Sequence, residues 1–232
     1  MYGQRHVRCD NGPMMAGHVV AVATAGLGGI AAGVVIMRWA QRGFGVGLHG
    51  ASAIAGCVVT AAALALRFHH SAYLAPLLAF GWAGALISGI DLRTHLIPTR
   101  LLGACAAVAV LLLCLAAALD GGLAGLERAC VAAAIGAALG WGSMHVIWRA
   151  ARGGLGYGDV RLGGYLGMHL GLGGFVMVWW GLLAGFAVAA LVGAVGVVVL
   201  RRGADYRFAL GPSLIAGALA AIWWSAPTGL AV

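Results

Sequence analysis

The sequence has no lysine and little charge of any kind. Charged residues make up 9% of the 232 positions, only six are acidic, and hydrophobic residues reach 62%. A soluble domain carries about 25% charged residues, so this composition cannot cover a water-facing surface. Mean hydropathy is +0.99, and apolar runs of roughly 20 residues, the length of a membrane-crossing helix, recur along the chain. We therefore predict an all-α polytopic membrane protein; the runs are too long and uniform for β-barrel strands.

Paired cysteine motifs and clustered basic residues are also missing. The five cysteines form no CxxC motif, so neither a zinc site nor a disulfide framework is supported, and we expect no metal or other cofactor. The net charge of +8 comes only from arginines, which stand singly or in pairs between apolar runs. That distribution is typical of membrane topology and not of a nucleic-acid-binding patch.

Eight apolar runs predict a bundle of about eight transmembrane helices. Their approximate limits are 16–37, 46–66, 71–90, 101–119, 129–148, 160–172, 174–200 and 209–225. Glycine-rich or charged breaks separate them, among them DGG at 120–122. The first run follows a polar N-terminal tail, residues 1–15, and we expect it to be retained and not removed as a signal peptide. Residues 16–232 then form a single membrane-embedded domain, with its motifs inside about 71–225.

The placement of arginine favours eight crossings with the N-terminus outside. Ten arginines then fall in inside loops: Arg38, Arg42, Arg93, Arg100, Arg149, Arg152, Arg161, Arg201, Arg202 and Arg207. Four fall outside: Arg5, Arg8, Arg67 and Arg128. This excess follows the positive-inside rule, whereas omitting the short run 160–172 would leave seven on each side. We therefore expect a multi-pass protein of the cell (inner or plasma) membrane, with the ten arginines on the cytoplasmic side.

Two of the six acidic residues lie where apolar runs end on that cytoplasmic side. Asp91 stands in SGIDLRTHLIPTRL, and Asp159 follows the glycines of LGYGDVRL. Singly, Asp159 could be a helix N-cap, and Asp91 an interfacial carboxylate paired with Arg93 or His95. Together they predict chemistry, because two adjacent carboxylates share a proton. The ionised partner can then activate water while the protonated one polarises a carbonyl.

Glycine is expected to shape this site and the packing of the helices. Without a Cβ, Gly156 and Gly158 let an extended peptide or a partner helix approach Asp159 closely. Other glycines recur four residues apart, a spacing that favours close helix packing in lipid. The clearest pairs are Gly136 with Gly140 and Gly163 with Gly167.

Three segments resemble the type IV prepilin peptidase (prepilin leader peptidase) family of GxGD membrane aspartyl proteases. GLGYGDVRL resembles the family's GxGDxKL motif, with Arg161 in place of lysine, and SGIDLRTHLIP resembles its first aspartate motif. FALGPSLIAGAL, at 208–219, resembles the start of its last helix, and GLGGIAAGVVIMRW, at 26–39, more weakly resembles its first helix. The order of the three stronger segments is more specific than GxGD alone. Presenilin-like proteases pair GxGD with Tyr-Asp, which is absent here.

The resemblance implies an aspartic endopeptidase, a hydrolase that serves a type IV pilus or a related secretion system. Its substrates would be prepilin-like proteins with an N-terminal leader and a hydrophobic stem, cleaved at the cytoplasmic face. Asp91 and Asp159 would be catalytic. The residues expected to bind substrate or shape the site are Gly156, Gly158, Pro98, Arg161, His95, Gly211 and Pro212. His95, four positions after Asp91, could tune that carboxylate, and Arg161 could contact a substrate carboxylate or anchor the inside face.

Two departures from the family pattern limit what it implies. Longer members carry a cytoplasmic domain with CxxC pairs and N-methylate the new terminus. The corresponding loop, about Arg38 to Gly47, is short and has no cysteine. This short form is therefore expected to have no methyltransferase activity and no S-adenosylmethionine site. Thr99 stands where family members often have Asp or Asn after Ile-Pro.

Two other functions remain open. A transporter or channel could relay protons through Asp91 and Asp159. Such paths place ionisable groups at successive depths and often show two related halves. Here the acidic candidates share one face and the halves do not resemble each other. A catalytically inactive, assembly-only relative would retain both aspartates as well.

Overall fold

The chain folds into α-helices. The computed structural model describes residues 12–45, 47, 50–152, 154–199, 201 and 209–225, and no strand occurs among them. The helices are α1 (Gly12–Phe44), α2 (Gly50–Phe68), α3 (Leu74–Thr94), α4 (Thr99–Ala150), α5 (Tyr157–Leu170), α6 (Phe175–Ala194) and α7 (Gly211–Trp224). A 3-10 turn, Gly171–Gly173, follows α5, and a π-helical turn, Val195–Val199, extends α6. The all-α prediction is confirmed for this part of the chain.

Five helices in the described part are long and apolar enough to cross a membrane. Their apolar segments are Val20–Gly43, Ala51–Phe68, Leu74–Thr94, Thr99–Ala150 and Phe175–Val199. These lengths and hydropathies are those of a multi-pass membrane protein, as predicted. The predicted spans 160–172 and 209–225 fall largely on α5 and α7, which have 14 residues each. Both are shorter than the roughly 20 residues that a crossing helix needs.

Helix α4 is a hairpin of two helical arms, 99–121 and 123–150. Gly122 breaks it with φ 60° and ψ −148°, a backbone conformation that glycine adopts without steric cost. The sulfur atoms of Cys114 and Cys130, 16 residues apart, lie 3.8 Å from each other. In a straight helix the same residues would be about 24 Å apart. The chain therefore reverses at the predicted DGG break, and the arms coincide with the predicted runs 101–119 and 129–148.

Short α5 is the most enclosed helix of the bundle. Nine of its 14 residues are buried, and it contacts α4, α6 and α7. Its neighbour α3 supplies the buried side chains Phe80, Ile87 and Ile90 to the same core. The long helices instead present large apolar side chains such as Leu111 and Val198 outwards, as expected of surfaces that face lipid.

The two predicted glycine pairs pack directly against each other between the second arm of α4 and α5. A Cβ on Gly140 would collide with the carbonyl oxygen of Gly163, and one on Gly136 with that of Gly167. The backbones are thus in contact with no side chain between them. Because lipid supplies no hydrophobic drive for helix association, this close van der Waals packing is what holds α5 in place.

Substitution of Gly140 by alanine should therefore destabilise the bundle, by about 1–3 kcal/mol, because the added methyl group overpacks a closed contact. Gly142 is the matched control, since it lies on the same arm and a Cβ there would meet nothing within 4 Å. Thermal unfolding in detergent should show a lower midpoint for Gly140→Ala and no loss for Gly142→Ala. Equal midpoints for the two variants would contradict the packing described.

Candidate functional site

Asp91 is buried in the last turn of α3 and is held by the first residue of α7. Its side chain is 4% exposed. The Gly211 backbone N–H donates a hydrogen bond of 2.9 Å to Asp91 Oδ2. N–H groups in the first turn of a helix have no partner within it, and they carry the positive end of the helix dipole. The start of α7 therefore offsets part of the cost of burying the carboxylate of Asp91.

Asp159 lies in the first turn of α5 and is half-buried. The N-cap residue of this helix is Gly156. The interpretation of Asp159 as a helix N-cap is therefore wrong. Burial, and to a smaller extent the charge of Asp91, raise the pKa of its carboxyl group to about 6, against a hydrogen bond with the Gly156 backbone that lowers it. The influence of Asp91 places the two carboxyl groups within electrostatic reach of each other.

Ile97, in the loop between α3 and α4, packs between the starts of α5 and α7. A Cβ on Gly158 would lie 3.1 Å from Ile97 Cβ, and a Cβ on Gly211 would lie 3.5 Å from Ile97 Cδ1. The segment that follows Asp91 therefore contacts both helices that begin at the site. Pro98, the next residue, is the extended N-cap of α4 with φ −65°.

Gly211 also sets how closely α7 approaches Asp91. A Cβ at this position would lie 2.7 Å from Asp91 Oδ2, too close for a carbon atom. Pro212 follows within the first turn of α7, where its missing N–H leaves no helical hydrogen bond unmade. Gly156 is less constrained, because its Cβ would lie 3.3 Å from Asp159 Oδ2. The structure thus brings these glycines next to the predicted carboxylates.

Arg161 links the starts of α5 and α4. Its Nη1 donates a hydrogen bond of 2.6 Å to Thr99 Oγ1, and its guanidinium carbon lies 4.9 Å from the centre of the Tyr157 ring. Neither Tyr157 nor Thr99 was among the predicted site residues. Neither spacing nor composition signals this contact, because it depends on how two helix ends meet.

His95 ends α3 in a left-handed conformation with φ 51°, and its backbone N–H donates to the carbonyl oxygen of Asp91 at 2.8 Å. Its side chain is exposed. The residue thus terminates the helix directly after Asp91 and turns the chain towards Ile97. In the part of the chain that the structure describes, no group of three or more His, Cys, Asp or Glu residues could hold a metal ion.

No protein-family model matches the chain, and no curated protein or solved structure is significantly similar to it.

Removing the charge of Asp91 should lower the pKa of Asp159. In Asp91→Asn, burial still holds that pKa above the ordinary value, but the repulsion that favours the protonated form is gone. Titration of the Asp159 carboxyl band by infrared difference spectroscopy should therefore show a midpoint near 6 in the wild type and a lower one in the variant. The matched control is Asp120→Asn, in the turn of the α4 hairpin, which should leave the titration midpoint of Asp159 unchanged. An unchanged midpoint in Asp91→Asn would rule out the interaction.

Proposed function

We propose that this protein is a membrane aspartyl endopeptidase of the prepilin peptidase type, with Asp91 and Asp159 as its catalytic pair. The observation that carries the proposal is the placement of the two carboxyl groups at the ends of different helices that meet around Ile97, where the charge of Asp91 also raises the pKa of Asp159. Burying carboxyl groups in so apolar a chain costs free energy. Carboxyl groups in such an environment are typical of sites of general acid–base catalysis.

The mechanism uses one proton shared by the pair. One carboxylate is ionised and takes a proton from a water molecule, whose oxygen attacks the scissile carbonyl carbon. The other carboxyl is protonated and donates a hydrogen bond to the carbonyl oxygen, which supports the developing negative charge. The tetrahedral intermediate then collapses, the C–N bond breaks, and the leaving nitrogen takes up a proton from the pair.

Access for water and peptide is supported by the position of both aspartates at helix ends. Asp91 is in the last turn of α3 and Asp159 in the first turn of α5. Non-helical backbone at membrane depth is tolerated where it lines an aqueous cavity. In the proposed topology the arms of α4 each cross the membrane, as do α5 and α7. This gives eight crossings, with the aspartates on the cytoplasmic side of the cell membrane.

The proposed substrates are prepilin-like proteins of a type IV pilus or secretion system. Their leader would be cut from a hydrophobic stem that remains in the membrane beside the bundle. Cleavage at the cytoplasmic face, where the stem begins, matches the helix-end position of Asp91 and Asp159. The proposal includes no nucleic acid, no cofactor and no methyl transfer.

A proton relay is the second candidate, and one residue favours it. His169, ten positions after Asp159 along α5, is 1% exposed, and its Nε2 has no hydrogen-bond partner in the part of the chain that the structure describes. A relay could pass from Asp159 to this imidazole. However, Phe80 and Tyr165 pack on its ring at 4.4 and 4.9 Å, which favours a packing role.

Replacement of either aspartate should abolish prepilin cleavage. The test is co-expression with a prepilin-like substrate in membranes, with the pilin size compared for wild type, Asp91→Asn and Asp159→Asn. Because the pair acts as a unit, each single variant should lose at least about 100-fold of the cleavage rate, and the double variant little more. Asp120→Asn, exposed in the α4 turn, should cleave like the wild type.

Folding must be checked in the same samples, by gel filtration and thermal unfolding in detergent. Undiminished cleavage by well-folded Asp91→Asn and Asp159→Asn would refute the catalytic pair. If the wild type cleaves no prepilin-like substrate while proton flux in vesicles depends on Asp159 and His169, the relay is the correct function.

The contact between Arg161 and Thr99 should position Asp159 and not bind substrate. Thr99→Val removes only this hydrogen bond to a charged group, which corresponds to a loss of about 10-fold in kcat. Arg161→Ala also removes the contact on the Tyr157 ring, so the double variant should lose no more than Arg161→Ala alone, with KM unchanged throughout. A rise in KM for Arg161→Ala alone would assign the guanidinium to the substrate instead.

A further inference from the structure

The hairpin of α4 brings two thiols together. Cys114 and Cys130 lie eight residues before and after Gly122, and their sulfur atoms are 3.8 Å apart. Cys114 is half-buried and Cys130 is exposed. A disulfide bond is about 2.05 Å long, and its Cβ atoms lie about 3.8 Å apart. The two sulfurs are therefore within about 2 Å of the separation that they have in a disulfide bond.

The thiol pair lies close to a polar boundary of the membrane. Cys130 comes two residues after Arg128, whose Nε donates to the carbonyl oxygen of Ala124 near the hairpin turn. The antiparallel arrangement puts Cys114 at the same level. In the proposed topology this turn is on the outer side of the membrane, where disulfides form and persist. Cys130, the exposed thiol of the pair, therefore lies next to the boundary that faces this compartment.

We infer that Cys114 and Cys130 form a disulfide bond that closes the α4 hairpin at the outer face. The two S–H bonds break, one S–S bond forms, and two protons and two electrons leave. The electrons reduce a disulfide of a thiol-oxidising protein in the same compartment, through a mixed-disulfide intermediate. This inference rests on the proposed topology and not on the proposed peptidase activity.

The bond would strengthen the element that connects both parts of the site. The first arm begins at Thr99, which binds Arg161, and the second arm packs through Gly140 on α5, which carries Asp159. A cross-link between the arms restricts the unfolded chain and favours the paired arrangement. Oxidation at one face therefore supports the geometry of the carboxylates at the other.

The test counts free thiols in the full-length protein, expressed in a Gram-negative host with an oxidising periplasm. Thiol exchange in the membranes is quenched with acid, and the protein is denatured and labelled with a maleimide. The mass of the labelled protein is then measured by mass spectrometry. Of the five cysteines, three should label before reduction and all five after it. Peptide mapping should find Cys114 linked to Cys130, and reductant should lower the thermal midpoint of the wild type by several degrees.

Matched variants separate this pair from any other. Cys114→Ala should label at all four remaining cysteines with or without reduction, and reductant should not change its thermal midpoint. Cys57→Ala, a buried thiol of α2, should keep the disulfide and label at two cysteines before reduction. Five labelled cysteines in the unreduced wild type, or a link between other cysteines, would overturn the inference. Prepilin cleavage is read separately, so failure of one proposal is distinguishable from failure of the other.

Discussion

Backbone contact between the second arm of α4 and α5 is the constraint on which the site depends. Lipid gives helices no hydrophobic reason to associate, so they must gain dispersion energy by approaching closely. Gly140 and Gly163 permit that approach, because neither backbone carries a side chain at the contact. It fixes the start of α5, and with it the carboxylate of Asp159. The proposed catalytic residue Asp159 is thus positioned by glycines that lie outside the site.

The two carboxylates are stabilised in different ways. Asp91 is nearly enclosed and is compensated by the N–H of Gly211 at the positive end of α7. Asp159 is more accessible, and its raised pKa, about 6, shows that burial and the charge of Asp91 outweigh the hydrogen bond from Gly156. Because each charge disfavours the other, the pair can hold a single shared proton at pH values near 6.

Features carried by local patterns could be predicted from the sequence, whereas contacts between helix ends could not. Apolar runs indicated the helices, and DGG indicated the reversal at Gly122. The N-cap interpretation of Asp159 was wrong by three residues, because extended Gly156 starts α5 earlier. The contacts from Arg161 to Thr99 and between the thiols carry no sequence signal. Each of these two contacts joins residues that are far apart in the sequence, and the distance between them depends on how the helices pack.

The short length of α5 and α7 has a consequence for the membrane itself. Fourteen residues extend about 21 Å as an α-helix, against a hydrocarbon core of about 30 Å. In the proposed topology, where both helices cross, the lipid that faces the exposed side of α7 must thin, or the polar boundary must move towards it, at a cost of fractions of a kcal/mol per Å of mismatch. Both helices begin at the carboxylates, so this depression of the bilayer is also a route by which water descends to them. In that topology, the thickness of the bilayer affects how much water reaches the two carboxylates.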